Sequence, residues 1–278
     1  MSDNNDFFVK FWGVRGSIAC PGPETARYGG NTSTLEVRCG DRLIICDAGT
    51  GLRYLGNEVA KQGPLDTDIF LTHSHFDHIC GLPFFAPLFS PANKIRVWAG
   101  HLSSAKMTVK RVLEDMMVSP LFPVPPEIFA ADVSYNDFNA GETLTLGAGI
   151  NIRTTELNHP ANATGYRIEF GGKSICYLTD TQHVIDQLDQ NILDLAEGTD
   201  LMIYDSTYTD EEFPARSDWG HSTWEEGVRL ANAANAKMFV VFHHDPDHTD
   251  GFMDRVAKDV EKARPGSVVA QEGMILRP

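Results

Sequence analysis

The chain has 278 residues, 42% of them hydrophobic, which is enough to bury a substantial core. Its 38 acidic against 23 basic side chains leave a formal charge of −15 at pH 7, which opposes long-range attraction to RNA, DNA or an anionic membrane, so a compact anionic substrate is expected rather than extended nucleic acid. The start Met1-Ser2-Asp3-Asn4-Asn5-Asp6 lacks the basic end and apolar stretch of a secretory signal, no later run is long enough to cross a bilayer, and the five scattered cysteines read as reduced thiols; together these predict a cytoplasmic protein without membrane attachment.

In chain order, 8–12, 34–37 and 43–46 read as short apolar strands bounded by Gly, Asp or Asn turns. Between the first two lies a glycine-rich connection, Gly13-Val14-Arg15-Gly16-Ser17 and then Arg27-Tyr28-Gly29-Gly30-Asn31-Thr32-Ser33, read either as ordinary turns or as backbone free to approach a ligand. Asp47 closes the third strand, and Leu52, Leu55 and Val59 have helical spacing. The strand Ile69-Phe70-Leu71 then empties into Thr72-His73-Ser74-His75-Phe76-Asp77-His78, four possible metal ligands in six positions. Histidines two apart in extended backbone point the same way, so His73 and His75 can share one ion while Asp77 and His78, past the bend, face a second.

Beyond this loop the pattern predicts a helix starting near 79–85, a strand at 94–98 and helical spacing over 101–118. Ser119-Pro120-Leu121-Phe122-Pro123-Val124-Pro125-Pro126 suits neither a helix nor a central strand; it reads as a stiff apolar loop placed over the site or against a second subunit, or simply packed under a sheet through Phe122. Next come a strand over 149–155 leading to His159, a hairpin of 166–170 with 174–179 around Gly171-Gly172 ending at Asp180, a helix over 182–196, a strand at 201–204 and a helix over 222–235. A strand at 238–242 ending at His243, a helix over 251–263 and a closing strand at 267–276 complete the chain. Helices and strands alternating in two groups predict an α/β protein of two β-sheets packed face to face with helices outside. No linker, low-complexity tract or repeat divides it, so 1–278 is expected to be a single domain.

The loop at His73, followed in order by His159, Asp180 and His243 at the ends of apolar stretches, resembles the metallo-β-lactamase superfamily over nearly the whole chain. The resemblance implies a four-layer αββα sandwich of two mixed sheets. It also implies two divalent metal ions, zinc first, with manganese, iron or cobalt open. One would be held by His73, His75 and His159 and the other by Asp77, His78 and His243, with Asp180 between them. A bridging hydroxide would then be the nucleophile, with Asp77 guiding its proton. Asp47 would support the metal loop by hydrogen bonds, in competition with a plain turn role. His244, next to His243, is an alternative ligand.

Gly220-His221-Ser222-Thr223 resembles the Gly-His-Ser/Thr motif of the superfamily's phosphodiesterase branch, which includes the tRNA 3′-processing endonuclease and bacterial cyclic phosphodiesterases. By that resemblance His221 would contact the scissile phosphate and assist the leaving oxygen. Ser222 followed by Glu225 has the form of a capping box, which would place His221 beside a helix N-terminus suited to an anion. Histidine at 75 rather than glutamate departs from the oxygen-reducing branch, Asp180 rather than cysteine departs from antibiotic hydrolysis, and no large insert separates Asp180 from His243. The expected activity is hydrolysis of a small or cyclic nucleotide-like phosphodiester. Thioester or lactone hydrolysis and a non-catalytic, metal-bound sensor are the alternatives. A homodimer is expected only because two-fold dimers are the commonest oligomers.

Overall fold

The computed structural model describes residues 6–278, so the reading of Met1 to Asn5 as signal-free lies outside the described residues. In the first half of the chain β1 (Phe7–Gly13), β2 (Thr34–Cys39), β3 (Arg42–Cys46), β4 (Asp66–Leu71), β5 (Lys94–Ala99) and β6 (Asp132–Asp137) lie side by side in sequence order. The second half lays down β7 (Thr143–Gly147), β8 (Ile150–Leu157), β9 (Ala163–Phe170), β10 (Lys173–Leu178), β11 (Leu201–Asp205), β12 (Met238–Phe242) and β13 (Val268–Val269), again in order. The last strand, β14 (Ile275–Leu276), returns to pair antiparallel with β1, making two sheets of seven strands among the described residues. Both sheets are mixed: β3 to β6 and β10 to β13 pair in parallel, while β1 to β3 and β7 to β10 are antiparallel.

The alternation of side chains along each strand builds the layers. Phe70 of β4, Ile175 and Tyr177 of β10, and Val240 and Phe242 of β12 point into the core between the sheets. Their neighbours point outward: Ile69 and Leu71 meet α1 (Gly51–Val59), and Cys176, Leu178, Phe239 and Val241 belong to the apolar layer under the helices of the second half. Parallel strands covered on both faces have little polar side, which is why β12 is wholly apolar and β4 and β10 end in the apolar runs Ile69-Phe70-Leu71 and Ile175-Cys176-Tyr177-Leu178. The result is the expected αββα sandwich. The two parallel blocks end at the same rim, where the residues following β3, β4, β10, β11 and β12 converge.

Several predicted elements are shorter than their periodicity. Helix α2 (Phe76–Ile79) is one turn inside the metal loop, followed by two short 3-10 turns that contain Pro83 and Pro87. Helix α3 (Val109–Met116) starts only where Thr108 accepts the Arg111 N–H. The helix predicted over 182–196 begins only at α4 (Gln190–Ala196), where the Asp189 carboxylate accepts the amides of Asn191 and Ile192. Residues 182–189 instead form irregular structure beside the site. After α5 (Trp224–Ala233) and α6 (Asp250–Ala263), the predicted closing strand over 267–276 is broken at Gly273, whose positive φ of 83° turns the chain from β13 in one sheet to β14 in the other.

Candidate metal centre

Backbone strain marks the rim. Asp47 after β3, Asp180 after β10 and His243 after β12 all adopt left-handed backbone, with φ of 60°, 59° and 61°. Such a conformation costs a non-glycine residue about 1 kcal/mol or more and persists where surrounding contacts over-determine it. Here it swings each side chain from the strand end toward one point. Gly16 makes room for one of them, since a Cβ there would stand 2.4 Å from His243 Cε1.

At that point two groups of donors meet. His75 Nδ1 and His159 Nε2 are 3.1 Å apart, and His73 Nε2 and His159 Nε2 lie 3.7 and 4.0 Å from Asp180 Oδ1. In the second group His78 Nε2 is 3.4 Å from His243 Nε2 and 3.2 Å from Asp77 Oδ2, and both histidines face Asp180 Oδ2 at 3.1 and 3.2 Å. Donors bonded at the usual zinc distances to one tetrahedral ion lie about 3.3–3.4 Å apart, which is the spacing of the tighter contacts here. Asp180 gives one oxygen to each group.

The residues present fit a cation. His73 Nε2 is buried with no hydrogen-bond partner, a costly state for a polar nitrogen unless its lone pair has another use. Burial, with neighbouring imidazoles, pushes the pKa of His73 down, and burial does the same at His75 and His159, so these rings are held in the neutral form that can coordinate a cation. Burial alone would neutralise Asp77 and Asp180, but the imidazoles of His78 and His243 outweigh it and keep both carboxylates ionised. Buried carboxylates packed among nitrogen donors call for positive charge.

The ring orientations are fixed from behind. His159 Nδ1 donates to the Gly220 carbonyl at 2.8 Å, leaving Nε2 free to coordinate. Asp47 Oδ2 holds His78 Nδ1 at 2.9 Å and accepts Tyr177 OH at 2.7 Å, while its other oxygen accepts the Thr72 amide at 2.8 Å. The supporting role expected for Asp47 is thus visible as contacts. Thr207 Oγ1 lies 3.0 Å from His243 Nδ1 and donates to Asp205 at 2.8 Å. His244 turns the other way, its Nε2 bonding to the Ala270 carbonyl at 2.9 Å, and burial followed by the nearby Arg15 pushes its pKa down to about 3. Of the two adjacent histidines, His243 alone joins the clustered donors.

His221 stands at the edge of this cluster, Nδ1 3.0 Å from Asp205 Oδ2 and 3.8 Å from Asp180 Oδ1. Burial disfavours its charged form, but Asp205 and then Asp180 and Asp77 win, raising the pKa to about 9. The predicted capping box is displaced by one residue. Thr223, not Ser222, caps α5 by accepting the Glu226 amide at 3.0 Å, because hydrogen bonds from Tyr208 N to Ser222 O and from Trp224 N to Tyr208 O keep this stretch extended. Ser222 Oγ instead sits between His183 Nδ1 and Tyr204 OH, at 2.8 Å from each. Thr223 also donates to Asp210 at 2.6 Å, so the first turn of α5 is occupied and His221 reaches the cluster without it.

Sequence reasoning missed Asp205, Thr207 and Ser17, whose amide donates to Asp77 Oδ2 at 2.8 Å. Asp205 carries the same signal as Asp180, an aspartate closing a fully apolar strand, and could have been found by it. Ser17 has no such signal, although the glycine-rich stretch around it does bring backbone to the site. In the proline-rich stretch Phe122 is half-buried and meets Phe84 edge to face at 5.9 Å, beside the metal loop and not under the sheet.

Residues 42–244 match the family model described as Beta-lactamase superfamily domain. A Ribonuclease Z of Haloarcula marismortui is 23% identical over 319 residues, covering 96% of this chain and 95% of that protein. Among solved structures, the metallo-beta-lactamase fold protein YhfI from Bacillus subtilis superposes with a TM-score of 0.74 at 19% identity, covering 98% of this chain and 99% of that one. A diphosphatase from the PhnP family gives 0.72 at 18% identity, covering 97% and 96%.

Proposed function

Because the chain belongs to the beta-lactamase superfamily, on its phosphodiesterase branch, we propose that it is a metal-dependent hydrolase that uses two ions to cleave a small or cyclic nucleotide-like phosphodiester. The observation that carries the reading is the Asp205–His221 pair set against the edge of the donor cluster, because a charged imidazole at that place suits the attraction of a phosphate and the protonation of its leaving oxygen.

His73, His75 and His159 would hold one ion and Asp77, His78 and His243 the other, with an Asp180 oxygen for each. When bound, such ions polarise a phosphoryl oxygen and bring the acidity of water close to neutral pH. His221 then does two things. Its charge draws the phosphate to the cluster, and its Nε2 gives a proton to the leaving oxygen as the P–O bond to the leaving arm breaks and the P–O bond to water forms. Asp205 holds Nδ1–H throughout, which orients the ring and keeps it charged. Asp77, fixed by the Ser17 amide, is placed to accept a hydrogen bond from the attacking water.

The relative named Ribonuclease Z acts on RNA by its name, and the structural neighbour is called a diphosphatase, so the branch spans polymer and small substrates. The formal charge of −15 favours the small one here. The test is turnover of a chromogenic phosphodiester beside a thioester and a lactone, in wild type and His221→Ala. Phosphodiester turnover reduced about 10²–10⁴-fold in the variant at unchanged metal content is the expected result. Cleavage of the thioester or lactone alone would overturn the reading, and stoichiometric binding without turnover of any of the three would favour the sensor.

A further inference from the structure

Beside the His73-to-His78 loop runs an apolar groove of about 850 Å³, lined by Phe76, Phe84, Met116, Leu121 and Phe122 together with Ser74. Leu121, Phe76 and Phe84 are 78, 71 and 54% exposed, which leaves a large apolar surface facing water. The one charged residue lining it, Asp115, is paired with Arg111 at 2.7 Å, so the groove offers no net charge to an ion.

The groove adjoins the His73-to-His78 loop. Ser74 lies between His73 and His75, and Phe76 between His75 and Asp77, so two of its lining residues alternate along the chain with three of the clustered donors. A concave, mostly apolar volume of several hundred Å³ beside a few converging polar groups is the usual form of a small-molecule site. A nucleic-acid strand fits it poorly: none of the residues lining the groove is basic, and the protein has a formal charge of −15.

We infer that this groove seats an aromatic or apolar arm of the substrate, the arm that stays on the phosphate. The enzyme is therefore selective for small phosphodiesters with one bulky apolar arm. This rests on the phosphodiesterase reading above. The leaving arm takes its proton from His221, which comes from the second half of the chain, whereas every residue of the groove comes from the first half. The retained arm is the one in the groove, whose lining residues do not include His221, the donor to the leaving arm.

The experiment compares two esters with the same leaving group, bis(4-nitrophenyl) phosphate and methyl 4-nitrophenyl phosphate, on the metal-loaded wild type and on Phe84→Ser and Leu121→Ser. Both substitutions are at exposed positions outside the donor cluster, and metal content and melting temperature verify that each variant is folded. The wild type should show the lower KM for the bis-aryl ester. Each variant should raise that KM about tenfold, the loss of one good apolar contact, and leave the KM of the methyl ester unchanged. Equal shifts for both esters, or none, would overturn the assignment while leaving the phosphodiesterase reading intact. So would sedimentation showing a wild-type dimer that Leu121→Ser dissociates, because the groove would then be covered by a second copy. No turnover of either ester by the wild type would overturn both readings.

Discussion

Both oxygens of Asp47 are engaged behind the donor cluster, where they join Thr72, His78 and Tyr177. Residues in this position orient the ligands, and their loss typically weakens metal binding by about 10- to 100-fold. Asp47→Ala should therefore lower metal affinity by that factor in a competition titration against a chromogenic chelator. Asp205 acts differently, on a proton. His221 must be charged to serve as an acid, so turnover should persist below its pKa of about 9 and fall as pH rises through it. Asp205 is the main group raising that pKa, so Asp205→Asn should move the alkaline limb of the kcat profile to lower pH, and His221→Ala should abolish that limb. An unmoved limb in Asp205→Asn would mean that the pair is not what holds the proton.

The elements of the rim are punctuated by side chains as much as by their periodicity. Helix α5 begins at its cap, Thr223, which accepts the Glu226 amide and ties the preceding strand-like stretch to Asp210. Removing the cap in Thr223→Ala should cost about 1 kcal/mol in urea denaturation and leave metal content unchanged, since no ligand depends on that turn. The same element shows why local patterns mislead. Ser222 and Glu225 have capping-box spacing, but the backbone bonds of Tyr208 to Ser222 and Trp224 settle where extended chain gives way to helix. Apolar spacing over 101–118 and 182–196 likewise marks segments that pack on the sheets. Their helices start later, at Thr108 and Asp189, because a cap decides the first helical residue.

Across the whole molecule the donors come from both sheets: His73 to His78 follow β4 in the first, and His159, Asp180 and His243 follow β8, β10 and β12 in the second. Bound ions would therefore tie the two halves together, and ligand binding stabilises the folded state by mass action, about 4 kcal/mol at a thousandfold excess over Kd. Chelation should lower the melting temperature by several degrees, with recovery on adding zinc; an unchanged melting curve in a protein verified as metal-depleted would sink this coupling.

Contiguous signals are what the sequence determined by itself: the apolar run of β12 and the apolar ends of β4 and β10, the dense His73-to-His78 loop, and His159, Asp180 and His243 following β8, β10 and β12. They are legible because burial on both faces of a strand and rigid placement of ligands at its end each act within a few residues. Only the tertiary structure decided which of His243 and His244 turns to the cluster, that Asp205 stands behind His221, that Ser17 reaches Asp77, and that Phe84 and Leu121 share a groove with Phe76. These depend on strand register, on left-handed backbone at strand ends and on segments separated by tens to hundreds of residues, and no local pattern carries that information.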